Sequence, residues 1–466
     1  MRFLFTCIPG LGHFNPLVPL ARALTRSGHD VAFVTAPSFA DAVTGAGFEF
    51  IAGGIDWDER RLLDTVPELR IRQKLIRGEW IMRNLFLDRS PRRMVQDLLR
   101  IVPEWQPTAV IAGSFEYGGL LAAEKLGLPY ATANYTVPWN RWILKHAVGR
   151  PIARLRREFD LAPDPDLDLF SRHLDLCFAP PSWRFERALL DQALTRLVSD
   201  MVLSFDMPWR QRLWGLRALL LQKLFARSLR AHPEDAQLRA TSHHIGNADP
   251  AEAPQAALSW LEDLPPHPTV FVSLGTVLSA EYPDIFDKIL TGLRGKPVNL
   301  IMTMGGKGDP ARFGPQPKNV RIMRFISQDD LRRLLPLVDL YVNHAGYSSV
   351  VEALTHGIPL VLLPLMSDAP MNTRMCMIDG VCASFPPEVW GVSPKGLPVI
   401  RAERLTSGLL SDVILQALHD PSYKAAAARI QREMAQRPGL KAAVKLLENL
   451  GSRRETSRPE NPNRDS

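Results

Sequence analysis

Val342-Asn-His344-Ala-Gly346-Tyr-Ser348-Ser349-Val-Val-Glu352-Ala-Leu-Thr-His-Gly357-Ile-Pro359-Leu-Val-Leu-Leu-Pro364-Leu-Met-Ser-Asp368 is the stretch whose reading decides the fold. The apolar run Leu340 to Val342 predicts a strand that ends in a short polar loop. A helix is expected from about Ser349 and is stopped by Gly357. A second strand, Pro359 to Leu363, then leads into another polar loop. Each strand delivers a loop able to hold a ligand, and the first loop opens a helix. A helix N-terminus offers unpaired N–H groups and the positive end of a dipole, which suits a phosphate. Gly346 lets the backbone approach such an anion, Ser348 and Ser349 add hydroxyl donors, and His344 adds an imidazole. A plain helix cap fits the same spacing, because serine caps helices without any ligand.

The stretch resembles the donor-binding signature of nucleotide-sugar glycosyltransferases of the GT-B fold, above all the bacterial macrolide and antibiotic glycosyltransferases and the plant UDP-glycosyltransferases. In that family His-x-Gly, two small residues and Glu are followed by Gly-x-Pro and an Asp-Gln pair. The resemblance implies that His344, Gly346, Ser348 and Ser349 contact the diphosphate. It implies that Glu352 accepts hydrogen bonds from the ribose and that Asp368 binds hydroxyls of the donor sugar. Two positions depart from the pattern. The family has His-Gly-Gly or His-Cys-Gly where this chain has His344-Ala345-Gly346, and the Gln after the Asp is Ala369, followed by Pro370. Without that Gln a sugar contact is lost, and a deoxysugar donor becomes easier to accommodate.

The N-terminus opens in a related way. Phe3 to Ile8 is an apolar run that ends at Pro9-Gly10-Leu-Gly12-His13-Phe-Asn15-Pro16. A helical pattern (Leu17, Leu20, Ala21, Leu24) closes at Gly28-His29, and Val31 to Thr35 reads as the next strand. Strand, glycine loop, helix, strand is the start of a doubly wound α/β domain, whose ligands bind at the carboxyl ends of strands. The loop is not the dinucleotide Gly-x-Gly-x-x-Gly, because Asn15-Pro16 fills its third small position. It resembles the Gly-x-x-Gly-His-x-x-Pro loop of the same transferases. That resemblance implies that His13 is the general base for the acceptor hydroxyl, with Gly12 near the donor. An alcohol is a poor nucleophile near neutral pH, and an imidazole within reach can take its proton as the glycosidic bond forms. A histidine that only caps the helix is the bland alternative.

In the family an Asp near the end of a later strand orients this histidine. Here that strand is Ala109 to Ala112, and the position is Gly113, so Ser114 or Glu116 is left to substitute; Glu116 is the candidate. In the second half, Thr269 to Leu274 predicts a strand ending at Ser273-Leu-Gly275-Thr276, the loop that in the family faces the diphosphate. Phe325 and Gln328 stand where the family holds the base with a ring and reaches the ribose with Gln. Trp80 and Phe86, and the aromatic set Tyr135, Trp139, Trp142, His146, Phe159 and Phe170, suit either an acceptor pocket or core.

Length and composition bound the rest. A chain of 466 residues holds two or three domains. Its four cysteines (Cys7, Cys177, Cys376, Cys382) are scattered, which fits a reducing, cytoplasmic setting without metal-like spacing. No secretory pattern and no apolar run of the ~20 residues that span a bilayer are visible. The formal charge of +7 admits an anionic ligand or surface. Nucleic acid is not an expected partner, because no zinc-finger or RNA-recognition signature is present.

One window stands out. Residues 184–232 carry nine Lys/Arg and four Asp/Glu, a net of +5 (9 − 4), on two helical runs of Leu and Trp broken at Pro208. The resemblance implies a short connection here, so the window reads as a basic amphipathic helical insertion. Such helices make peripheral membrane contacts, pack as hairpins or bind partners. The expected organisation is an N-terminal acceptor domain (1–183 and 233–245), the insertion (184–232), a linker (246–268), a C-terminal nucleotide-sugar domain (269–450) and a disordered tail (451–466).

The resemblance implies two doubly wound Rossmann-like domains facing each other across a cleft. It implies an inverting, metal-independent transfer of a hexose or deoxyhexose from a UDP- or dTDP-sugar to a hydroxyl of a lipophilic small acceptor of polyketide, terpenoid or lipid type. No cofactor is expected beyond the sugar nucleotide. Asp164-Pro-Asp166 and Asp166-Leu-Asp168 have Asp-x-Asp spacing but lie in a Pro-rich loop away from the donor signature. Two other readings stay open: a sugar-nucleotide 2-epimerase on the same fold, and a degenerate transferase-like protein that binds a partner through the insertion.

Overall fold

Short apolar strands separated by helices build two parallel sheets. The computed structural model describes residues 1–57, 65–70, 78–203, 208–231, 241–246, 258–305, 308–365, 368–393 and 397–457. The first sheet holds β1 (Arg2–Thr6), β2 (Asp30–Thr35), β3 (Glu49–Ala52), β4 (Ala109–Gly113), β5 (Tyr130–Asn134), β6 (Leu174–Cys177) and β7 (Ser242–His244) in the order 3-2-1-4-5-6-7. The second holds β8 (Thr269–Ser273), β9 (Asn299–Thr303), β10 (Val320–Met323), β11 (Leu340–Asn343), β12 (Leu360–Leu362) and β13 (Cys382–Ala383) in the order 10-9-8-11-12-13. Every pairing in both sheets is parallel; Phe3 faces Val31 and Ala109, and Phe271 faces Ile301 and Tyr341. Parallel sheets are covered by helices on both faces, which is why their strands are near-continuous apolar runs.

Both sheets therefore switch winding direction at one place, between β1 and β4 and between β8 and β11. Ligands of doubly wound sheets bind at the carboxyl ends of strands beside such a switch point. The loops after these four strands carry His13, Ser114 to Glu116, Gly275, and His344 to Gly346. All four loops are ones the sequence singled out.

Several boundaries differ from the sequence reading. The helix expected from Ser349 is Tyr347–Thr355, because Gly346 already takes the extended conformation of an N-cap (φ −62°, ψ 137°). An antiparallel hairpin, β14 (Trp390–Val392) with β15 (Pro398–Ile400), had no signal strong enough to announce it. The last helix does not stop at 450 but runs Leu440–Ser457. Nor does it belong to the second domain. It returns to pack on the helix Val18–Arg26 and on the first sheet, with His29 Nε2 2.9 Å from Glu448 Oε1. Residues 458–466 of the expected tail, 233–240 of the first domain and 247–257 of the expected linker lie outside the described residues.

The insertion also sits differently. Its helices Gln192–Leu203 and Trp209–Ala231 pack on each other and on the β14–β15 hairpin, and Val198, Met201 and Val202 join the core of the second sheet. Phe225 meantime touches Trp142 of the first domain (ring centroids 4.8 Å). The insertion thus bridges both domains. A second bridge is the segment before it: Trp183, fully buried, donates its indole N–H to Asp379 Oδ2 at 2.9 Å, and Ser182 N donates to Glu433 Oε1 at 2.6 Å. The returning chain is tied where it crosses, by Gly246 N donating to Pro438 O at 2.8 Å and Arg437 Nη1 donating to the carbonyls of Phe178 and Ala179.

Candidate active site

His13 lies in the four-residue helix Leu11–Phe14 that follows β1, where Gly10 in extended conformation starts the turn and accepts from His13 N at 3.0 Å. Its imidazole is half-buried in an aromatic wall: Phe86 at 5.8 Å and Phe115 at 6.1 Å, both edge-on. Trp57 (6.1 Å from Phe86) and Trp139 (6.0 Å from Phe115) extend that wall. Phe86 comes from a π-helical run, Ile81–Arg89, a winding found often at functional sites. Burial pushes the imidazole below its ordinary pKa, opposed by the charge of Asp368 and a backbone hydrogen bond to Ser114. The net downward shift keeps the ring neutral at pH 7, the form able to accept a proton.

Ser114 is held for that bond. Its Oγ accepts from Tyr135 N at 2.7 Å, fixing the loop to the end of β5. The next residue, Phe115, takes a left-handed backbone (φ +66°), a strained choice for a bulky side chain. The strain turns the Phe115 ring toward His13. Gly113, where the family has its Asp, has little room for one: a Cβ there would lie 3.1 Å from Leu17 Cδ1.

The structure does not give Glu116 to His13. Its carboxylate is buried, accepting from Thr6 Oγ1 at 2.6 Å and from the N–H groups of Gly118 and Gly119 at 2.9 and 2.8 Å. It caps the helix Gly118–Lys125 and pins it to β1. Burial raises its pKa and these hydrogen bonds oppose the rise. The partner of His13 is instead the Ser114 backbone, a group with no side-chain signal to read.

On the donor side His344 leaves β11 and its ring lies between two glycines. A Cβ at Gly275 (φ +70°) would be 2.8 Å from the ring and one at Gly346 2.5 Å from it. Only glycine fits both positions. Burial lowers the His344 pKa, opposed by the charge of Asp368 and by the Ser273 backbone. Its Nδ1 is buried and reaches no hydrogen-bond geometry with any described residue. Ala345 is left-handed (φ +63°), at the position where the resembling family has Gly or Cys. Two asparagines hold that turn: Asn343 Oδ1 accepts from Ala345 N at 2.8 Å, and Asn372 Nδ2 donates to Ala345 O at 2.9 Å. Asn372 also donates to Asp368 Oδ2 at 2.8 Å, so one amide fixes the histidine loop and the Asp368 loop together.

The helix Tyr347–Thr355 presents its first N–H groups at this loop, with Ser348 and Ser349 half-buried in its first turn. The buried Tyr341 hydroxyl hydrogen-bonds the side chains of Ser349 and Ser273. Glu352, one turn on, is pushed up to about 7 by burial, with Arg332 pulling the other way. Phe325 is 64 % exposed, a large ring left open to solvent, and Gln328 begins the next helix, Gln328–Leu334. Gly12 is exposed with free space over it. Thr276 follows Gly275 in the helix Gly275–Glu281; its side chain lies outside the described residues.

Sequence reasoning missed Tyr341, Asn343, Asn372, Phe115 and Trp57. For the asparagines a signal existed, since Asn343 lies inside the signature and Asn372 four residues past Asp368. Of the aromatic wall, Phe86 and Trp139 were among the pocket candidates, whereas Phe115 and Trp57 gave no signal, because the rings come from segments far apart. Of the aromatic set 133–180, only Trp139 reaches toward His13. Tyr135 stacks on Phe178 at 4.2 Å, and Trp142 stacks on His146 at 3.8 Å. Asp164 binds Asp168 N and Leu169 N at 2.9 Å each and lies 3.8 Å from Arg156, a structural role. Among the described residues no cluster has the makings of a metal site.

Known proteins align with this arrangement. Residues 242–438 match the UDP-glucoronosyl and UDP-glucosyl transferase family, and residues 22–189 match the erythromycin biosynthesis protein CIII-like N-terminal domain. The chain is 26% identical over 474 residues to 4'-demethylrebeccamycin synthase of Lentzea aerocolonigenes, covering 96% of this chain and 99% of that one. It is 25% identical over 480 residues to 10-deoxymethynolide desosaminyltransferase of Streptomyces venezuelae, covering 97% of each. Its fold matches that of the glycosyltransferase VinC, solved in complex with dTDP, at a TM-score of 0.66 and 21% identity, over 97% of this chain and all of that one. The two matches, one in each half of the chain, agree with the fold: the chain is a glycosyltransferase of the GT-B fold that resembles the bacterial macrolide and antibiotic glycosyltransferases.

Proposed function

We propose that the protein moves a hexose or deoxyhexose from a UDP- or dTDP-sugar to a hydroxyl of a lipophilic small molecule, with inversion and without a metal. One observation carries the reading: the charge of Asp368 reaches both His13 in the first domain and His344 in the second. In this reading the groups assigned to base, sugar and diphosphate work around Asp368, whose loop Asn372 ties to the His344 loop.

In this reading Phe325 stacks on the base, Glu352 and Gln328 take the ribose, and His344 with the N-terminus of the helix Tyr347–Thr355 takes the diphosphate. Asp368 holds sugar hydroxyls. The aromatic wall of Phe86, Phe115, Trp57 and Trp139 receives an apolar acceptor. The acceptor O–H proton passes to the neutral His13 ring, and the oxygen attacks C1 of the sugar. The C1–O bond to the diphosphate breaks, and the leaving oxygen keeps the electron pair. Fixed N–H donors aimed at the leaving group stabilise its growing charge. Ser114 holds the imidazole through its backbone, where the family pattern that the sequence resembles has an Asp. The relatives support the acceptor class: one is a 10-deoxymethynolide desosaminyltransferase.

The test is turnover of UDP-glucose and dTDP-deoxysugars against a panel of hydroxylated polyketides, with and without a chelator. The anomeric configuration of the product is then read by NMR. Inversion at a rate the chelator leaves unchanged is the expected result. Retention of configuration, or loss of activity with the chelator, would overturn the mechanism; glycosylation of hydrophilic acceptors alone would overturn the acceptor class.

A further inference from the structure

Nothing in the sugar transfer uses the outer face of the helix Trp209–Ala231. A helix of a globular protein normally shows one apolar stripe, turned to the core. This helix has two. The inner face is fully engaged: Phe225 is buried against Trp142, Gln211 Oε1 accepts from Val392 N at 3.2 Å, and Gln222 Nε2 donates to Thr195 Oγ1 at 2.5 Å. Gly215 is pressed so closely on Val202 that a Cβ would collide with its side chain.

The outer face is apolar and open. Trp209 is 66 % exposed, and Leu213, Leu216, Leu220 and Leu224 are all exposed as well. Their spacing of four, three, four and four residues puts them in one stripe about 22 Å long, at 1.5 Å per residue. Around the helix axis, exposed Arg210 and Arg217 flank that stripe on one side and exposed Lys223 and Arg230 on the other. The 23 residues contain six Lys/Arg and neither Asp nor Glu.

We infer that this face is a docking surface for an anionic lipid bilayer, with the helix lying flat in the interface. Trp and Leu enter the acyl boundary while the flanking cations meet the headgroups, as in other interfacial helices. Charge decides between occupants. A second copy of the same face would set cation rows against each other, and a neutral apolar partner would leave them unpaired. Among the described residues no helix is long and apolar enough to cross a membrane, so the contact is with one surface of the bilayer. The helix also touches Trp142, three residues from Trp139 of the aromatic wall, so lipid contact would hold that wall near the bilayer.

Flotation of the full chain with vesicles tests this. Binding is expected to vesicles containing phosphatidylglycerol, weakly or not at all to pure phosphatidylcholine, and to fall as salt is raised. A doubly substituted Leu213→Glu/Leu220→Glu protein should lose binding, and Arg217→Gln/Lys223→Gln should weaken it about tenfold or more. Both variants should keep the wild-type thermal shift with nucleotide, because none of these residues is near the donor loops. No binding to anionic vesicles, or binding that the glutamate pair leaves intact, would overturn the inference. So would a wild-type dimer, in the absence of lipid, that the glutamate pair turns into monomers, since the stripe would then belong to a second copy.

Discussion

Each domain places a histidine in a loop beside its sheet's switch point, His13 after β1 and His344 after β11, the counterpart of β4, yet the two are held by different means. On the donor side, side chains do the holding: Asn343 and Asn372 fix the Ala345 turn, Tyr341 joins Ser273 to Ser349, and two glycines bracket the His344 ring. On the acceptor side the backbone and aromatic rings do it: the Ser114 backbone, the strained Phe115 and the edge of Phe86. Each side carries one non-glycine residue at positive φ: Ala345 in the histidine's own loop, and Phe115 in the loop after β4, next to the His13 loop. The difference suits the ligands. A nucleotide diphosphate is a fixed shape that rewards a rigid polar cradle, whereas an apolar acceptor asks only for surface and one well-aimed base.

If the division is right, His13→Ala lowers kcat by about 10²–10⁴, the usual range for a general base, and leaves nucleotide binding intact. A loss of nucleotide affinity of similar size would break the division. Glu352→Gln should weaken UDP or dTDP binding by about 10–100-fold, the range of a charged hydrogen bond, as read by calorimetry. It should also raise the melting temperature of the free protein at pH 8. The sign follows from the raised pKa. The carboxyl is protonated in folded and unfolded chains alike below about pH 4.5, and the fold is penalised as pH rises toward and through about 7, where the buried group ionises. Nucleotide affinity in the wild type should rise over the same upper range, since ribose hydroxyls donate to the carboxylate, and the variant should lose that dependence.

Restoring the family's carboxylate sharpens the contrast. Gly113→Asp should not accelerate turnover and should destabilise the protein by about 1–3 kcal/mol, the cost of overpacking against Leu17. Faster turnover would mean that the Ser114 contact is a poor orienter and that the loop accommodates the side chain. The smallest effect is expected at Ala345→Gly. Relief of its left-handed backbone should stabilise by about 1 kcal/mol, or a rise of roughly 2–4 °C in melting temperature, with nucleotide binding unchanged.

The same difference governs what the sequence disclosed. His344, Gly346, Ser348, Ser349 and Glu352 lie within nine residues, and Asp368 follows on the next strand's loop, so local spacing was enough to pick them out. The doubly wound plan was legible for the same reason, as apolar runs between glycine loops. Glu116 was misread because a carboxylate near a catalytic histidine and a carboxylate capping a helix have the same sequence; only the N–H groups of Gly118 and Gly119 distinguish them. Ser114 acts through its backbone and leaves no residue-type signal. The partners of the insertion were hidden because they are a hairpin almost two hundred residues later and a helix of the other domain.

The helix Leu440–Ser457 closes the first domain although it follows the whole of the second domain in the chain. During synthesis, which adds about 5–20 residues each second, the first domain must wait through the whole of the second before this helix emerges. Until then the surface of the helix Val18–Arg26 that it covers, with the ends of β4 and β6, is apolar and bare. The two domains are therefore coupled in time as well as in space. A nascent chain stalled between residues 269 and 439 would present an incomplete domain to chaperones, however well its own first 245 residues had folded.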